Sequence, residues 1–196
     1  MTVHLMGVWI MMDETQLRER FCQAVRQLWT RGMIVGADGL VCCEVHRRRY
    51  LVTPVGERRI DLRPDDLTCV DIGGENVHGG EGIPPEVWQP HRDVYQSHLD
   101  PSGPAIGASA LVEPANVLAL LSNQDGADRL DLGGGESIPI VQGQDAQGLR
   151  QTLSASSDVV LRGRGLFVAA ADLALTLNRI ERIELAATVR LAMGRS

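Results

Sequence analysis

The sequence predicts an α/β domain in which helices cover a mixed sheet. Short apolar runs of strand length alternate irregularly with helical patterns, which is the mark of a sheet with helices laid on it. The predicted domain opens and closes on amphipathic helices, so apolar helix faces are available to cover a sheet. Its 196 residues, 44% of them apolar, suffice for one core without metal or disulfide staples. Residues 13–194 are read as one domain. Residues 1–12 are read as an extension ahead of it, disordered or an artefact of start assignment, with Met6, Met11 and Met12 as alternative starts. That extension is apolar but too short to span a bilayer.

The first helix follows Asp13, a candidate N-cap, and places Leu17, Phe21, Val25 and Leu28 on one face. Gly32 and Gly36 end it. Residues 40–45 and 50–53 read as strands joined by a turn at Arg47, Arg48 and Arg49. Adjacent Cys42 and Cys43 then face opposite sides of the sheet. Residues 62–67 are a turn and 68–72 a short strand, followed by a glycine-rich loop. Pro84-Pro85-Glu86 opens a second helix carrying Val87, His91, Val94 and Tyr95, since Pro suits a first helical turn. A small-residue strand at 105–112 leads into a helix at Pro114. Residues 130–141 form a hairpin around Gly133-Gly134-Gly135, 145–155 a helix, and 158–161 and 166–169 two strands. The last helix, 171–193, carries Leu173, Leu177, Ile180, Glu184, Ala187 and Leu191 on one stripe. Glu184 is out of place there; a subunit contact or a slight rotation of the helix would each explain it.

Composition removes whole classes of activity. All 19 basic residues are Arg, so Schiff-base chemistry, pyridoxal-phosphate catalysis and a P-loop are excluded. Net charge is −6 and aromatics are 4% of the chain, which leaves no footprint for nucleic acid. No segment reads as a membrane span. The four cysteines form no C-x-x-C pair and are expected as reduced, buried thiols of a cytoplasmic protein.

The order of motifs resembles the class II aldolase/adducin family over residues 14–194. Leu51-Val52-Thr53-Pro54-Val55-Gly56 is similar to its L-V-T-P-S-G turn, and Leu62-Arg63-Pro64-Asp65-Asp66-Leu67 to its L-x-P-E-D-L stretch. Glu86, His91 and Tyr95 reproduce its E-x4-H-x3-Y helix. Arg162-Gly163-Arg164-Gly165-Leu166 and Ile180-Glu181-Arg182-Ile183-Glu184 resemble its R-N-H-G-V and V-E-x-L-E segments. The resemblance implies a three-layer α/β/α sandwich with a mixed, largely antiparallel central sheet. It also implies a homo-oligomer, a tetramer with sites at subunit interfaces, or pairing with a paralogous subunit.

In that family a divalent metal, usually zinc, is held by a His-x-His pair and one later His, and stabilises an enediolate. Aligned on this chain, the pair falls on Gly107 and Ser109 and the third ligand on Arg164. None of these offers an imidazole, so no metal cofactor is expected. The phosphate loops are altered too. Gly39 survives where the family has G-N-x-S-x-R, Thr53 and Gly56 survive in the T-P-S-G loop, and Pro84-Pro85-Glu86 stands for S-S-E. The resemblance leaves Glu86 as the catalytic candidate, and Gly39, Thr53, Gly56, Ser109 and Arg164 as ligand-binding candidates. His78, Glu86 and His91 could build a relocated metal site. Two functional readings follow. One is a family member without metal-dependent aldol cleavage, serving as a scaffold, regulatory subunit or binder of a small anion. The other is an active lyase or epimerase on a phosphorylated or carboxylated sugar-like substrate. Arg164 is expected beside Glu86.

Overall fold

The computed structural model describes residues 2–5, 8–11, 13–35, 39–46, 48–54, 59–79, 83–97, 106–142 and 145–194. Strands β1 (Thr2–Leu5) and β2 (Val8–Met11) pair with each other as a separate antiparallel sheet. Helix α1 (Glu14–Thr30) follows, then β3 (Leu40–His46), β4 (Arg49–Val52), two single 3-10 turns, β5 (Thr68–Asp71) and β6 (Asn76–His78). The second half runs α2 (Pro85–Ser97), β7 (Ala108–Val112), α3 (Ala115–Asn123), β8 (Arg129–Gly133), β9 (Glu136–Gln142), α4 (Ala146–Ala155), β10 (Asp158–Arg162), β11 (Gly165–Ala170) and α5 (Leu173–Met193).

Among the described residues nine strands form the main sheet, in the order β6-β5-β4-β3-β7-β11-β10-β9-β8. Only β9 and β10 run parallel; the other neighbours are antiparallel. The two-residue period of each strand divides its side chains between two cores. Val41, Cys43, Ala110, Val112, Leu166 and Val168 meet α1, α3 and α5 on one face. Leu40, Cys42, Leu111, Phe167 and Ala169 meet α2 and α4 on the other. This is the expected three-layer sandwich, and Cys42 and Cys43 do point to opposite faces. All four cysteines are buried and unbridged. Among the described residues no helix is long and apolar enough to cross a membrane.

The ends of the helices show why the chain folds locally as it does. Leu17, Phe21, Val25 and Leu28 of α1 are buried as their spacing requires. The helix stops at Gly32, whose φ of +68° lets the Gly32 and Met33 amides turn back to the Trp29 and Leu28 carbonyls. Asp13 occupies the N-cap position, but its side chain makes no cap hydrogen bond. Two further features depart from the sequence reading. Strand β6 lies inside the glycine-rich stretch read as loop. All three of its residues are exposed at the sheet edge, so no apolar alternation announces it.

The buried stripe of α5 runs through Leu173, Thr176, Ile180, Ile183 and Ala187, so the helix is rotated slightly from the predicted stripe and Glu184 stands at its margin, where it has partners within the chain. Its Oε1 accepts from the Asn116 amide (3.0 Å) and side chain (2.8 Å), and its Oε2 accepts from the Val117 amide (3.1 Å). The N-cap of α3 is Pro114, which has no side-chain acceptor for those orphan amides. A carboxylate from α5 does that work across the interface, where the helix dipole also favours negative charge. Glu184→Ala is therefore expected to cost about 1–2 kcal/mol in urea unfolding, as loss of an N-cap does. An unchanged midpoint would show that the contact adds nothing.

Candidate functional site

The register decides which candidate residues can meet. Leu40 pairs with Leu111, and Leu166 with Val112. The start of β3, the end of β4, the end of β7 and the start of β11 therefore lie at one end of the sheet. Gly39, Thr53 and Arg164 come to that end, and the first turn of α2 joins them through Glu86. A Cβ on Gly39 would stand 2.7 Å from Ile34, so the chain passes there without a side chain. The Thr53 hydroxyl is buried and accepts from the Val41 amide at 3.2 Å, tying β4 to β3. Gly56 lies outside the described residues.

Gly107 is at the other end. Its amide donates to the Ala170 carbonyl at 2.9 Å, beyond the Ala108–Ala170 pair, whereas Arg164 precedes the Leu166–Val112 pair. The ladder between those pairs is itself about 13 Å long. Ligands of one zinc ion sit about 2 Å from it. Gly107 and Arg164 thus cannot face a common ion, and this chain's residues across from Arg164 are Val112, Glu113 and Pro114. A Cβ at Gly107 would also meet the Ala171 carbonyl at 2.3 Å, so no side chain fits there without backbone movement. The alignment of the His-x-His pair on Gly107 and Ser109 is corrected accordingly.

Arg164 does lie beside Glu86, though not through the carboxylate. Its Nη2 donates to the Glu86 main-chain carbonyl at 3.0 Å. The cause is local. Pro90, inside α2, stands four residues after Glu86 and has no N–H to give that carbonyl. The guanidinium supplies the missing donor. Burial pushes its pKa down from the usual arginine value, and the Glu86 carboxylate nearby opposes the shift. The Glu86 side chain itself is exposed in the first turn.

One and a half turns further along α2, His91 is fully buried. Its ring stacks on Trp88 (centroids 5.9 Å apart) and meets the edge of Phe167 at 5.1 Å. Nδ1 lies 2.7 Å from Ser109 Oγ, Ser109 Oγ donates to the Tyr95 hydroxyl at 3.2 Å, and that hydroxyl donates to Cys42 Sγ at 3.5 Å. Burial, seconded by the charge of Arg164, drives the imidazole pKa down to about 3. The histidine is neutral at ordinary pH. On its other flank α2 is held to α4 by buried Asp93, whose Oδ1 lies 3.2 Å from Arg150 Nε.

The family's zinc does not fit this donor set. Position 164 is a cation, Glu113 is the one carboxylate in the segment facing it, and His91, the imidazole that the described residues bring near, spends Nδ1 on Ser109. The relocated arrangement is not formed either. His78 lines a separate cleft of about 250 Å³ on the α1 face, with His46, Glu14, Arg18 and Cys69. Among the described residues no three His, Cys, Asp or Glu side chains are grouped to hold a metal ion.

Comparison with known proteins places this architecture. The family model of the class II aldolase and adducin N-terminal domain matches residues 19–191. The chain belongs to the class II aldolase and adducin family. YgbL of Klebsiella pneumoniae, a proposed aldolase/epimerase/decarboxylase, is 25% identical and superposes with a TM-score of 0.81, covering 94% of this chain and 92% of that one. L-fuculose 1-phosphate aldolase of Glaciozyma antarctica gives 0.75 at 15% identity, over 91% of this chain and 73% of that one. The L-fuculose-1-phosphate aldolase of Thermus thermophilus gives 0.72 at 21% identity, over 90% and 97%. No curated protein sequence matches the chain. Within the class II aldolase fold, the features absent from the sequence reading are the Pro90 gap with its Arg164 plug and the His91–Ser109 contact. Pro90 is visible as a proline inside a helical pattern, which demands a substitute donor; the Ser109 contact requires the tertiary structure.

Proposed function

We propose that this class II aldolase homologue binds a small anion, a carboxylate or a phosphate, at the strand-end cluster around Arg164. Zinc-dependent aldol cleavage is not part of the proposal. The observation that carries it is the guanidinium of Arg164 at the sheet end shared by Gly39, Thr53 and Glu86, anchored by a hydrogen bond to a main-chain carbonyl. That bond uses one of five N–H donors and orients the fork, which suits planar anions. A scaffold or regulatory role would follow from ligand-dependent stability. The opposing reading, a lyase or epimerase using Glu86, draws on the likeness to YgbL and on the exposed carboxylate of Glu86.

One series of measurements separates the two. Thermal unfolding with millimolar phosphate, glycolate or citrate is expected to shift upward for the wild type, because ligands of the native state stabilise it by mass action. The double variant Pro90→Ala/Arg164→Gln restores a helical donor for Glu86 and removes the guanidinium, and should show no shift. Cleavage of a sugar phosphate by protein carrying one chelatable metal per chain would overturn the proposal in favour of the lyase reading.

A further inference from the structure

A helix laid on a domain should be polar on the side away from the core, and the outer side of α5 is not. The helix buries Leu173, Thr176, Ile180, Ile183 and Ala187. Opposite them stand Leu175, Asn178, Arg182, Leu185, Val189 and Ala192, at alternating steps of three and four residues, all exposed. Leu185 and Val189 are 64% and 50% exposed, and Met193, beside them in the last turn, 65%. Alternating steps of three and four are the spacing of a coiled-coil seam. Ion pairs rim the strip. Glu181 meets Arg31 on the α1 side, and Arg182 and Arg190 meet Glu136 and Asp131 on the side of the β8–β9 hairpin. An exposed apolar strip with a polar rim marks a contact surface.

The pattern also selects its occupant. When a second α5 lies antiparallel on the first, each seam position meets one of the other kind. Leu185 then packs on the partner's Val189, twice over, and Arg182 comes level with the partner's Ala192. Helix side chains lean toward the N-terminus, so the Arg182 guanidinium reaches the partner's last turn, whose carbonyl end carries partial negative charge. The basic residue of that turn, Arg190, is itself turned aside to Asp131 at 2.9 Å. Sliding the antiparallel pair by one heptad sets Arg182 on Leu185 and Asn178 on Val189, polar groups against apolar ones. A parallel pair stacks Arg182 on Arg182. The antiparallel overlap of the C-terminal halves avoids both.

We propose that the outer face of α5 joins two copies of this chain, antiparallel, about a two-fold axis level with Ala187. Such a contact is isologous and closes at two. It runs from Arg182 to Ala192, about 15 Å of helix. That is small for a stable interface, so the dimer is reversible and concentration-dependent.

Sedimentation equilibrium of the full chain from about 1 μM to about 1 mM tests it. The wild type is expected to associate across that range. Leu185→Glu, which sets two carboxylates in the middle of the seam, should abolish the association. Arg182→Glu, present twice in the dimer, should weaken it about tenfold. Both positions are exposed, so circular dichroism of the dilute variants should match the wild type. A chain that stays monomeric throughout overturns the proposal, as does an assembly that Leu185→Glu leaves intact. Cross-linking tests the register. The four native cysteines are buried and stay out of the reaction. Under mild oxidation, Leu185→Cys protein mixed with Val189→Cys protein should yield disulfide-linked pairs of unlike variants, and neither variant alone should link efficiently. Preferential linking of like with like would mean a parallel contact and overturn the antiparallel pairing.

Discussion

Lowering the pH from 7.5 to 5 is expected to cost the folded chain about 2 kcal/mol through His91 alone, and about 4 kcal/mol by pH 3. His91 titrates near 6.5 in the unfolded chain, but desolvation holds it down to about 3 in the folded one. Between those values the unfolded state binds the extra proton, so stability falls as the pH falls. The contribution is fully present above 6.5 and is lost on the way down to 3. Each pH unit in that window is worth about 1.4 kcal/mol. Urea unfolding of the wild type and of His91→Gln, which has nothing to titrate, should therefore diverge in pH dependence. The variant starts less stable at pH 7.5, having lost a packed ring, and its midpoint should move less toward pH 5. Asp158 works in the opposite sense, since burial raises its pKa in the native state against the pull of Arg179. It is common to both proteins and cancels in the difference. Parallel pH profiles for the two would mean that His91 is protonated or hydrated in the native state.

How far the molecule is legible in its sequence follows from what each signal measures. Periodicity reports burial, so the buried face of α1 and the strands with apolar runs can be read directly, while in α5 the predicted stripe shares Leu173, Ile180 and Ala187 with the buried face and misses Thr176 and Ile183. Strand β6 cannot, because an exposed edge strand of three residues buries nothing. Glu184 shows as an anomaly on an apolar stripe, but its partner, the uncapped start of α3, lies 67 and 68 residues away and only the packing of α5 on α3 joins them. The motif order carries the family and the layer architecture. It does not carry the register of β7 against β11, since a short ladder of Ala, Ser, Leu and Val holds little to fix an alignment by eye. Slippage there puts the expected ligand pair at the wrong end of the strand. The pairing of Arg164 with Glu86 is legible in place and not in kind, because the deciding residue is Pro90 and not either partner.

That relation makes the second strong expectation a coupling. Arg164→Ala should cost about 2 kcal/mol, the range for a hydrogen bond with one charged partner, because the Glu86 carbonyl then loses the guanidinium that stands in for the missing helical N–H. In a Pro90→Ala background the same substitution should cost much less, about 0.5 kcal/mol, since alanine in place of the proline brings an N–H four residues after Glu86 and closes the helical bond itself. The interaction energy of the double-mutant cycle is thus about 1.5 kcal/mol, well above the scatter of independent sites. Urea midpoints of the four proteins supply it. The sign also separates two roles for the guanidinium. If Arg164 acted chiefly on the Glu86 carboxylate, replacing Pro90 would leave its cost unchanged, and Glu86→Gln would instead lower it. If its role is to fill the gap that Pro90 leaves, Glu86→Gln is nearly silent and Pro90→Ala absorbs the loss. The second outcome would also mean that Pro90→Ala releases the fork, so this variant alone should bind anions at Arg164 more weakly or with less discrimination than the wild type, in which a bond to the backbone holds the fork in place.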